Sequence, residues 1–494
     1  MDKGLTMPKL LLLLAEVLLF AILAVATSSH FGWVEGLRIT AAYLVAYLVP
    51  RTVLRRARAA SVPACVVLLM MAAFLMAACY SSLVEWTGTG GYTLHQPNLD
   101  GDSLKYYKWA WYHYDGSVPW EKVIFPGFPC MILCLFKAFG VSVIWPQALN
   151  LMFTLLAVVL TGMTTRRLLA HRVKAMPSAL LAGGMLLCFA LTYNLMMGIS
   201  ILKEGSIGMA MALAGFAMSS MSASDEERFQ PWRDLLLMAL ACALLGAVRT
   251  TYLYIVLAGI VIMALPHLRR DWGMALTMVA LVVVALVVGN YFAAYSFDRH
   301  VKIVNGGWNM QRFYVIRGPQ GFYRDLIGYY FLFSPLHRAA MLPLTASIQF
   351  FVPFPWLNGE SPILFNYLCR VSYTWYLLGG VVLFYFAFMS WRGRENMGAW
   401  PWWPALAFVM LAYVMGGSIT RYVLPVQPLF IPVAMYVLCR VIEGHRRKAF
   451  VRWMVLFVLL VAVVLMTCLE FQEKAISQAL HTPSLVDFLK SLRH

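Results

Sequence analysis

Long apolar segments recur along the whole chain, and short clusters of lysine and arginine separate them. An α-helix needs about 20 apolar residues to cross the hydrocarbon core of a bilayer, and many of these segments reach that length. The pattern predicts an all-α polytopic membrane protein with about 13 transmembrane helices. The predicted spans lie near residues 8–27, 36–54, 61–83, 144–166, 177–197, 205–221, 234–249, 251–266, 273–294, 371–391, 402–418, 422–441 and 453–469.

Composition supports this interpretation. The 494 residues are 61% hydrophobic and 12% charged, whereas soluble domains carry about 25% charged residues. No soluble segment separates from the apolar ones, so residues 1–494 are interpreted as a single membrane-embedded domain. The net charge of +17 would suit a nucleic-acid-binding protein, but the basic residues lie in short loops between apolar runs. That position indicates membrane topology, and no nucleic-acid partner is expected.

The basic loops predict which ends of the helices face the cytoplasm. They lie at residues 51–58, 166–174, 228–233, 267–270, 392–394 and 440–452, and the positive-inside rule places all of them inside. The N-terminus is then inside and the C-terminus outside. Two proline-containing apolar stretches, 123–140 and 339–356, would move a basic loop to the wrong side if they crossed the membrane. They are predicted to be interfacial helices within two large outer loops, 84–143 and 295–370.

The first outer loop contains the candidate catalytic residues. Asp100 and Asp102 precede an aromatic stretch that includes Tyr106. A carboxylate at the membrane surface, partly desolvated by aromatic rings, can accept a proton from an acceptor hydroxyl, and Asp102 is the better placed of the two. The alternative is a structural turn that caps a helix beginning near Leu104, with the aromatic residues forming an ordinary interfacial belt.

Further charged residues fall at predicted outer turns. Lys203 and Glu204 lie between two short apolar segments, and Arg249 interrupts an apolar run of about 30 residues. Each suits a substrate-binding role, although a lysine that snorkels beside its own counter-ion would explain the first pair equally well. Arg421 and Tyr422 precede a helix with spaced prolines, where a guanidinium can hold a lipid-linked phosphate. An interfacial anchor is the alternative there.

The order of these features resembles a known enzyme family. An acidic residue precedes Tyr and Ala in an outer loop. Phe-Pro-Gly-Phe-Pro at 125–129, Phe-Lys-Ala-Phe-Gly at 136–140 and Arg-Arg-Leu at 166–168 follow it. This order, with the later Arg-Tyr pair before spaced prolines, is similar to polyprenyl-phosphate-dependent glycosyltransferases of the GT-C superfamily, of the protein O-mannosyltransferase and aminoarabinose-transferase type. The chain departs from that pattern in having three predicted helices before the loop and a glycine between its two aspartates.

The resemblance implies a function. In the resembling family, the acidic residue of the first outer loop is the catalytic base or lies beside it. The matching residues in this chain are Asp102 and Asp100. The expected activity is transfer of a sugar from a polyprenyl-phosphate donor to an envelope glycan or lipid acceptor, on the periplasmic side of a bacterial inner membrane. Membrane lipids are the other expected partners. No cofactor and no metal site are predicted, because the isolated carboxylates do not form a ligand set.

Two other functions stay open at this point. A polymerase or ligase that joins lipid-linked oligosaccharides would also use outer arginines, but it needs no carboxylate base of this type. A lipid or glycan transporter would typically show paired halves and charges at mid-membrane. No internal repeat is visible, and the informative charges lie near the outer edge, which favours an enzyme.

Overall fold

The computed structural model describes residues 7–57, 59–88, 90–99, 101–117, 127–190, 198–220, 231–264, 335–351, 363–391, 397–415 and 423–479, with isolated helical positions between residues 273 and 287. Within these residues the regular structure is helical and contains no strand, which confirms the all-α class for the described part. The helices are α1 Met7–Phe31, α2 Trp33–Arg56, α3 Val62–Thr87, α4 Gly101–Tyr114, α5 Gly127–Phe139, α6 Ile144–Leu169, α7 Pro177–Ala190, α8 Glu204–Ser219, α9 Pro231–Val248, α10 Thr250–Ala264, α11 Pro335–Ala340, α12 Leu342–Phe351, α13 Ile363–Phe388, α14 Trp402–Met415, α15 Gln427–Ile442 and α16 Arg447–Ala479. A 3-10 helix, Leu424–Val426, precedes α15.

Several of these helices have the length and composition of membrane spans. Among the described residues, five are long and apolar enough to cross a bilayer: α1, α2, α3, α6 and the Arg447–Thr467 part of α16. Other apolar helices are shorter, such as the 14 residues of α7, which extend only about 21 Å at 1.5 Å per residue. The chain is therefore a helical membrane protein, and the number of 13 spans stays a prediction.

The two apolar stretches interpreted as interfacial helices also form helices. The first contains α5, which has 13 residues and reaches only about 20 Å. The second contains α12, of 10 residues, and the end of α11, of 6 residues. A helix must extend about 30 Å to cross the hydrocarbon core, so none of the three is long enough to do so alone.

The chain divides into two compact units. Unit 1 comprises residues 1–296, 397–406 and 424–439, and unit 2 comprises residues 297–396, 407–423 and 440–494. In unit 2, the indole of Trp453 on α16 donates a hydrogen bond of 2.9 Å to the carbonyl of Gly380 on α13. Phe457 packs on the same glycine, so a small residue lets the two helices approach closely. The single membrane-embedded domain expected from the sequence stays a prediction.

Unit 1 is organised around α6. In the most apolar 18-residue stretch of α6, 78% of the residues are buried, whereas in that of α1 only 17% are buried. Helices α2, α3, α7 and α8 pack on α6. Leu11, Leu14 and Leu18 of α1 are exposed, and a continuous apolar surface of this kind is stable against lipid but not in water.

Helix α8 is buried along its whole length, from Glu204 to Ser219. It is rich in glycine, alanine and methionine, and such small side chains allow close helix packing in membranes. Gly215 packs against Leu429 at the start of α15 and against Trp400. The 3-10 helix before α15 also contacts α8. Its first residue, Glu204, and the residue directly before it, Lys203, are two of the candidate site residues.

The two ends of α6 differ in what surrounds them. The C-terminal ends of α6 and α2 lie close to the N-terminal ends of α3 and α7. Residues 59–61, 166 and 178, which lie at or beside these ends, line one cavity. This agrees with the prediction that the basic loops 51–58 and 166–174 share a side. At its N-terminal end, α6 contacts α5, which packs on α4. The Val143 amide, directly before α6, donates a hydrogen bond of 2.9 Å to the Leu94 carbonyl in the segment before α4. The 26 residues of α6 separate these ends by about 39 Å.

Candidate active site

Helix α4 presents Asp102 in its first turn. The helix begins at Gly101, three residues earlier than the predicted start near Leu104. Asp102 is half-buried, and a carboxylate in a first turn is stabilised by the positive end of the helix dipole. Tyr106 lies four residues later and therefore on the same face of the helix. The predicted base and the predicted aromatic residue thus share one face of α4.

Two tyrosines attach α4 to α5. The ring of Tyr106 lies edge-on to Phe128 with centroids 5.5 Å apart, and Tyr107 lies edge-on to Phe136 at 5.3 Å. The Tyr107 hydroxyl donates a hydrogen bond of 2.9 Å to the carbonyl of His95. Burial raises the pKa of Tyr107, so the phenol stays neutral and can donate this bond. The α4 face that carries Asp102 is therefore fixed by packing on α5.

The structure brings Lys203 to Tyr106, 97 residues earlier in the chain. The Lys203 ammonium lies 5.6 Å from the centroid of the Tyr106 ring, within cation–π range. Lys203 is only 4% exposed, so its charge does not extend into solvent as a snorkelling lysine would. Lys203 is also the residue immediately before α8. The cation and the start of α8 consequently lie on the Asp102 side of α4.

A short segment, residues 198–202, leads into Lys203. Its last three residues are not helical, and α6 holds the segment in place. The side-chain amide of Asn150 donates two hydrogen bonds, 2.6 Å to the Ser200 carbonyl and 2.9 Å to the Leu202 carbonyl. Non-helical backbone within a membrane protein is stable only where its polar groups find partners in the protein. Asn150, which is fully buried, supplies these partners directly before the candidate residue.

Gln147 supports the same segment one turn earlier on α6. Its amide donates hydrogen bonds of 3.1 Å to the Ile199 carbonyl and 3.3 Å to the Cys79 carbonyl. The Tyr43 hydroxyl donates a bond of 2.5 Å to the Gln147 side-chain oxygen, which fixes the orientation of the amide. Helices α2, α3 and α6 are thus all connected to the segment that carries Lys203.

The sequence interpretation did not single out Gln147 and Asn150. The signal was nevertheless present, because both are polar residues within a predicted span and they are three residues apart. That spacing places them on one face of a helix. Polar residues inside a membrane helix commonly bond to a neighbouring helix or to irregular backbone. Their partners, in contrast, depend on the tertiary fold.

Glu204 forms the first residue of α8 and is 1% exposed. A carboxylate at this position is favoured by the helix dipole, and the adjacent Lys203 supplies an opposite charge. The backbone here is well ordered by hydrogen bonds to the Lys203 carbonyl, from the Ser206 hydroxyl at 2.7 Å and the Ile207 amide at 3.1 Å. Two adjacent, oppositely charged side chains are therefore buried at the start of one helix.

Arg249 is the single residue between α9 and α10, as the interruption of the apolar run predicted. It is 9% exposed. The end of α9 contacts the start of α5, where a Cβ built on Gly127 would lie 2.5 Å from the Ala247 carbonyl oxygen. Only glycine fits such a close backbone approach. Helix α5 therefore contacts the end of α9, next to Arg249, through Gly127. It contacts Tyr106 of α4 through Phe128.

The remaining candidates fall outside the described residues. These are Asp100, Arg421 and Tyr422, and their roles stay predictions. Within the described part of the chain, no group of three His, Cys, Asp or Glu side chains comes together in a way that could hold a metal ion. The described site therefore consists of a half-buried carboxylate, an aromatic ring and buried charges.

Comparison with known proteins gives no relative: no protein family, no curated protein and no solved structure matches this chain.

Proposed function

We propose that this chain is a membrane glycosyltransferase. It transfers a sugar from a polyprenyl-phosphate donor to an envelope glycan or lipid acceptor on the outer side of the membrane. The observation that carries the proposal is the position of the Lys203 ammonium over the Tyr106 ring, one helical turn from Asp102. A carboxylate and a buried cation on one side of an aromatic surface are the groups that such a transfer needs.

Asp102 acts as the general base in this proposal. Its carboxylate accepts the proton of the acceptor hydroxyl as the hydroxyl oxygen attacks the anomeric carbon of the donor sugar. The bond between that carbon and the phosphate oxygen breaks, and polyprenyl phosphate leaves with the bonding electrons. By analogy with the GT-C enzymes, the displacement inverts the anomeric configuration. Half-burial of Asp102 leaves the carboxylate accessible to an acceptor.

The cations stabilise the leaving phosphate. Negative charge develops on its oxygen in the transition state, and a preorganised cation in a site of low polarity stabilises such charge more strongly than water does. Lys203 is buried and fixed by the Gly198–Leu202 segment, so it is the first candidate. Arg249 and Arg421 are assigned the same role, with Glu204 holding Lys203 and Tyr422 lining the site.

The test compares two aspartates of the same loop. Wild type, Asp102→Asn and Asp115→Asn are purified in detergent, and transfer of radiolabelled sugar from a panel of polyprenyl-phosphate sugars to extracted envelope glycans is measured. Release of polyprenyl phosphate is the second readout. Asp115 is exposed and directly follows α4, so its variant removes an equal charge nearby. Loss of a general base lowers the rate by about 10²- to 10⁴-fold.

The expected result is that Asp102→Asn binds donor but turns over at least a hundredfold more slowly, while Asp115→Asn keeps wild-type activity. Full activity of the Asp102→Asn protein would show that Asp102 only stabilises the start of α4. Formation of polymer without dependence on Asp102 would instead favour the oligosaccharide polymerase. Transport of the labelled lipid without release of polyprenyl phosphate would favour a transporter.

A further inference from the structure

Helix α4 carries a basic side that the proposed transfer step leaves unused. Tyr106 and Tyr107 are buried and pack on α5, whereas Lys105 and Lys108 are exposed. The two lysines are three residues apart, which places them on one side of the helix. Together they form the lysine face of α4.

The lysine face has an excess of positive charge. Asp102 is the only acidic residue within four positions of either lysine in the sequence, and it is the proposed catalytic base. Lys108 has no acidic residue three or four positions away on the helix, so no ion pair along α4 offsets its charge. The face therefore presents two cations next to one carboxylate.

Lys105 is held in a defined position. Its ammonium lies 4.7 Å from the centroid of the Trp109 ring, within cation–π range. Trp109 is half-buried, and its ring lies edge-on to Tyr106 with centroids 6.2 Å apart. A lysine whose side chain is already ordered loses less conformational entropy when it binds an anion. The ring thus prepares this cation for a ligand.

The lysine face adjoins the proposed base. Asp102 lies three residues before Lys105 and hence on the same side of α4, about 4.5 Å away along the helix axis. A ligand held by the lysines would therefore reach the carboxylate. An anionic ligand would be repelled by Asp102 alone, and the two lysines offset this repulsion.

The position of α4 favours a ligand from the aqueous phase. The side of α4 opposite the lysine face meets α5, which contacts α6, and meets Lys203, directly before α8. The lysine face is consequently turned away from the ends of these helices. A surface in contact with lipid tails would be apolar, as the exposed side of α1 is. A molecule outside the membrane fits the lysine face better than the surrounding bilayer does.

We infer that the lysine face binds the acceptor and that the acceptor is an acidic glycan, a sugar chain that carries carboxylate or phosphate groups. The inference rests on the proposed transferase function and names its acceptor class. Ionic contacts with the chain hold one of its hydroxyl groups at Asp102. The donor phosphate is assigned to Lys203 and the arginines, so the two substrates use different cations.

The first measurement compares an acidic glycan with its uncharged form. Isothermal titration calorimetry is carried out on the full-length protein in an uncharged detergent without a sugar headgroup. The probes are an oligogalacturonate and its methyl ester, which has the same sugar backbone without the charges. Wild type should bind the acid and not the ester, and the affinity should fall as ionic strength rises because salt screens exposed charges.

The second measurement removes the lysine face. Lys105→Gln/Lys108→Gln lacks two exposed ionic contacts, and its affinity for oligogalacturonate should fall about tenfold. Lys105→Glu/Lys108→Glu adds repulsion and should not bind measurably. Both substitutions lie at exposed positions, where changes have little effect on folding. Lys137→Gln is the matched control, because Lys137 is exposed on the neighbouring helix α5, and it should bind as wild type does.

A third variant separates this inference from the proposed catalytic step. Asp102→Asn should bind oligogalacturonate at least as tightly as wild type, because it removes a repelling charge. A wrong assignment of the base would change the turnover result and leave this binding intact, whereas a wrong assignment of the lysine face would change the binding result.

Three results would overturn the inference. Wild type could fail to distinguish the acid from the ester, which includes binding neither. Lys137→Gln could lose as much affinity as the lysine-face variants, which would attribute binding to net charge. Phosphatidylglycerol vesicles, and not oligogalacturonate, could bind in a manner that depends on Lys105 and Lys108, which would assign the face to a membrane surface.

Discussion

The two ends of unit 1 differ in where their positive charges lie. At the end formed by α4 and α5, Lys203 and Arg249 are buried, and hydrogen bonds from α6 fix the backbone that leads to Lys203. At the other end, Arg55, Arg56 and Lys174 are exposed on helix ends and connections, and one arginine, Arg167, is buried and donates a hydrogen bond of 2.9 Å to the Phe216 carbonyl of α8. Burial of a charge is costly unless the protein compensates it. Lys203 and Arg249 therefore require compensating partners within the protein, whereas the exposed set agrees with membrane topology.

The same contrast appears in the side chains of α6 itself. Near its start, Gln147 and Asn150 direct their amides at the backbone of another segment. Near its end, Thr161 and Thr164 bond only to carbonyls of their own helix, at 2.7 and 2.8 Å. The two amides near the start of α6 thus serve tertiary structure, whereas these two hydroxyls near its end serve local structure. Substitutions at matched positions can test this difference.

The largest effect is expected for Lys203→Gln, compared with Lys174→Gln at the opposite end. The first variant removes the buried cation that stabilises the leaving phosphate, and loss of one such group lowers kcat by about 10²- to 10³-fold. The second removes an exposed charge, and surface substitutions usually change stability by less than about 0.5 kcal/mol. The measurement is sugar transfer at saturating donor. Equal activity of the two variants would remove Lys203 from the site.

A large loss of stability is expected for Asn150→Ala. Its amide bonds to the Ser200 and Leu202 carbonyls, and two buried acceptors left without donors cost about 2–6 kcal/mol in total. Thr161→Ala is the control on the same helix, because that hydroxyl bonds only to the Ala157 carbonyl. Thermal unfolding in detergent should show a much lower midpoint for Asn150→Ala. Similar midpoints would mean that the segment 198–202 does not depend on α6.

The helical framework could be predicted well from the sequence because its signals are local. Hydrophobic length located α2 and α6 within three residues of their observed bounds, and a single charge within an apolar run located the break at Arg249. Helix ends are less well determined by local signals. Helix α4 begins at Gly101 and not near Leu104, which places Asp102 inside the first turn, where the dipole favours it.

The contacts of the candidate site could not be predicted, because they join distant parts of the chain. Nothing local to Lys203 indicates that Tyr106 lies beneath its ammonium, and nothing local to Gln147 indicates Ile199 as its partner. Hydrophobic pattern determines which segments are helices, but helix packing in membranes depends on small residues and interhelical hydrogen bonds. Gly127, for example, permits the close contact with Ala247 that links two parts of the site.

The smallest effect is expected at Tyr106, where two substitutions distinguish the contribution of the ring from that of the hydroxyl. Tyr106→Leu removes the aromatic face beneath Lys203, and a cation–π contact contributes about 0.5–2 kcal/mol, so donor affinity should fall about 2- to 30-fold. Tyr106→Phe keeps the face and should retain donor affinity within about threefold. Tyr112→Leu, at an exposed position of the same helix, is the control.

Donor binding to the three tyrosine variants separates positioning of the cation from general packing. If Tyr106→Phe and Tyr106→Leu lose affinity equally, the hydroxyl and not the ring face is responsible, and Lys203 is positioned by α6 alone. If only Tyr106→Leu loses affinity, the ring of α4 and the amides of α6 fix the ammonium from two directions. That outcome would explain how an ammonium that is only 4% exposed is held at this end of the unit.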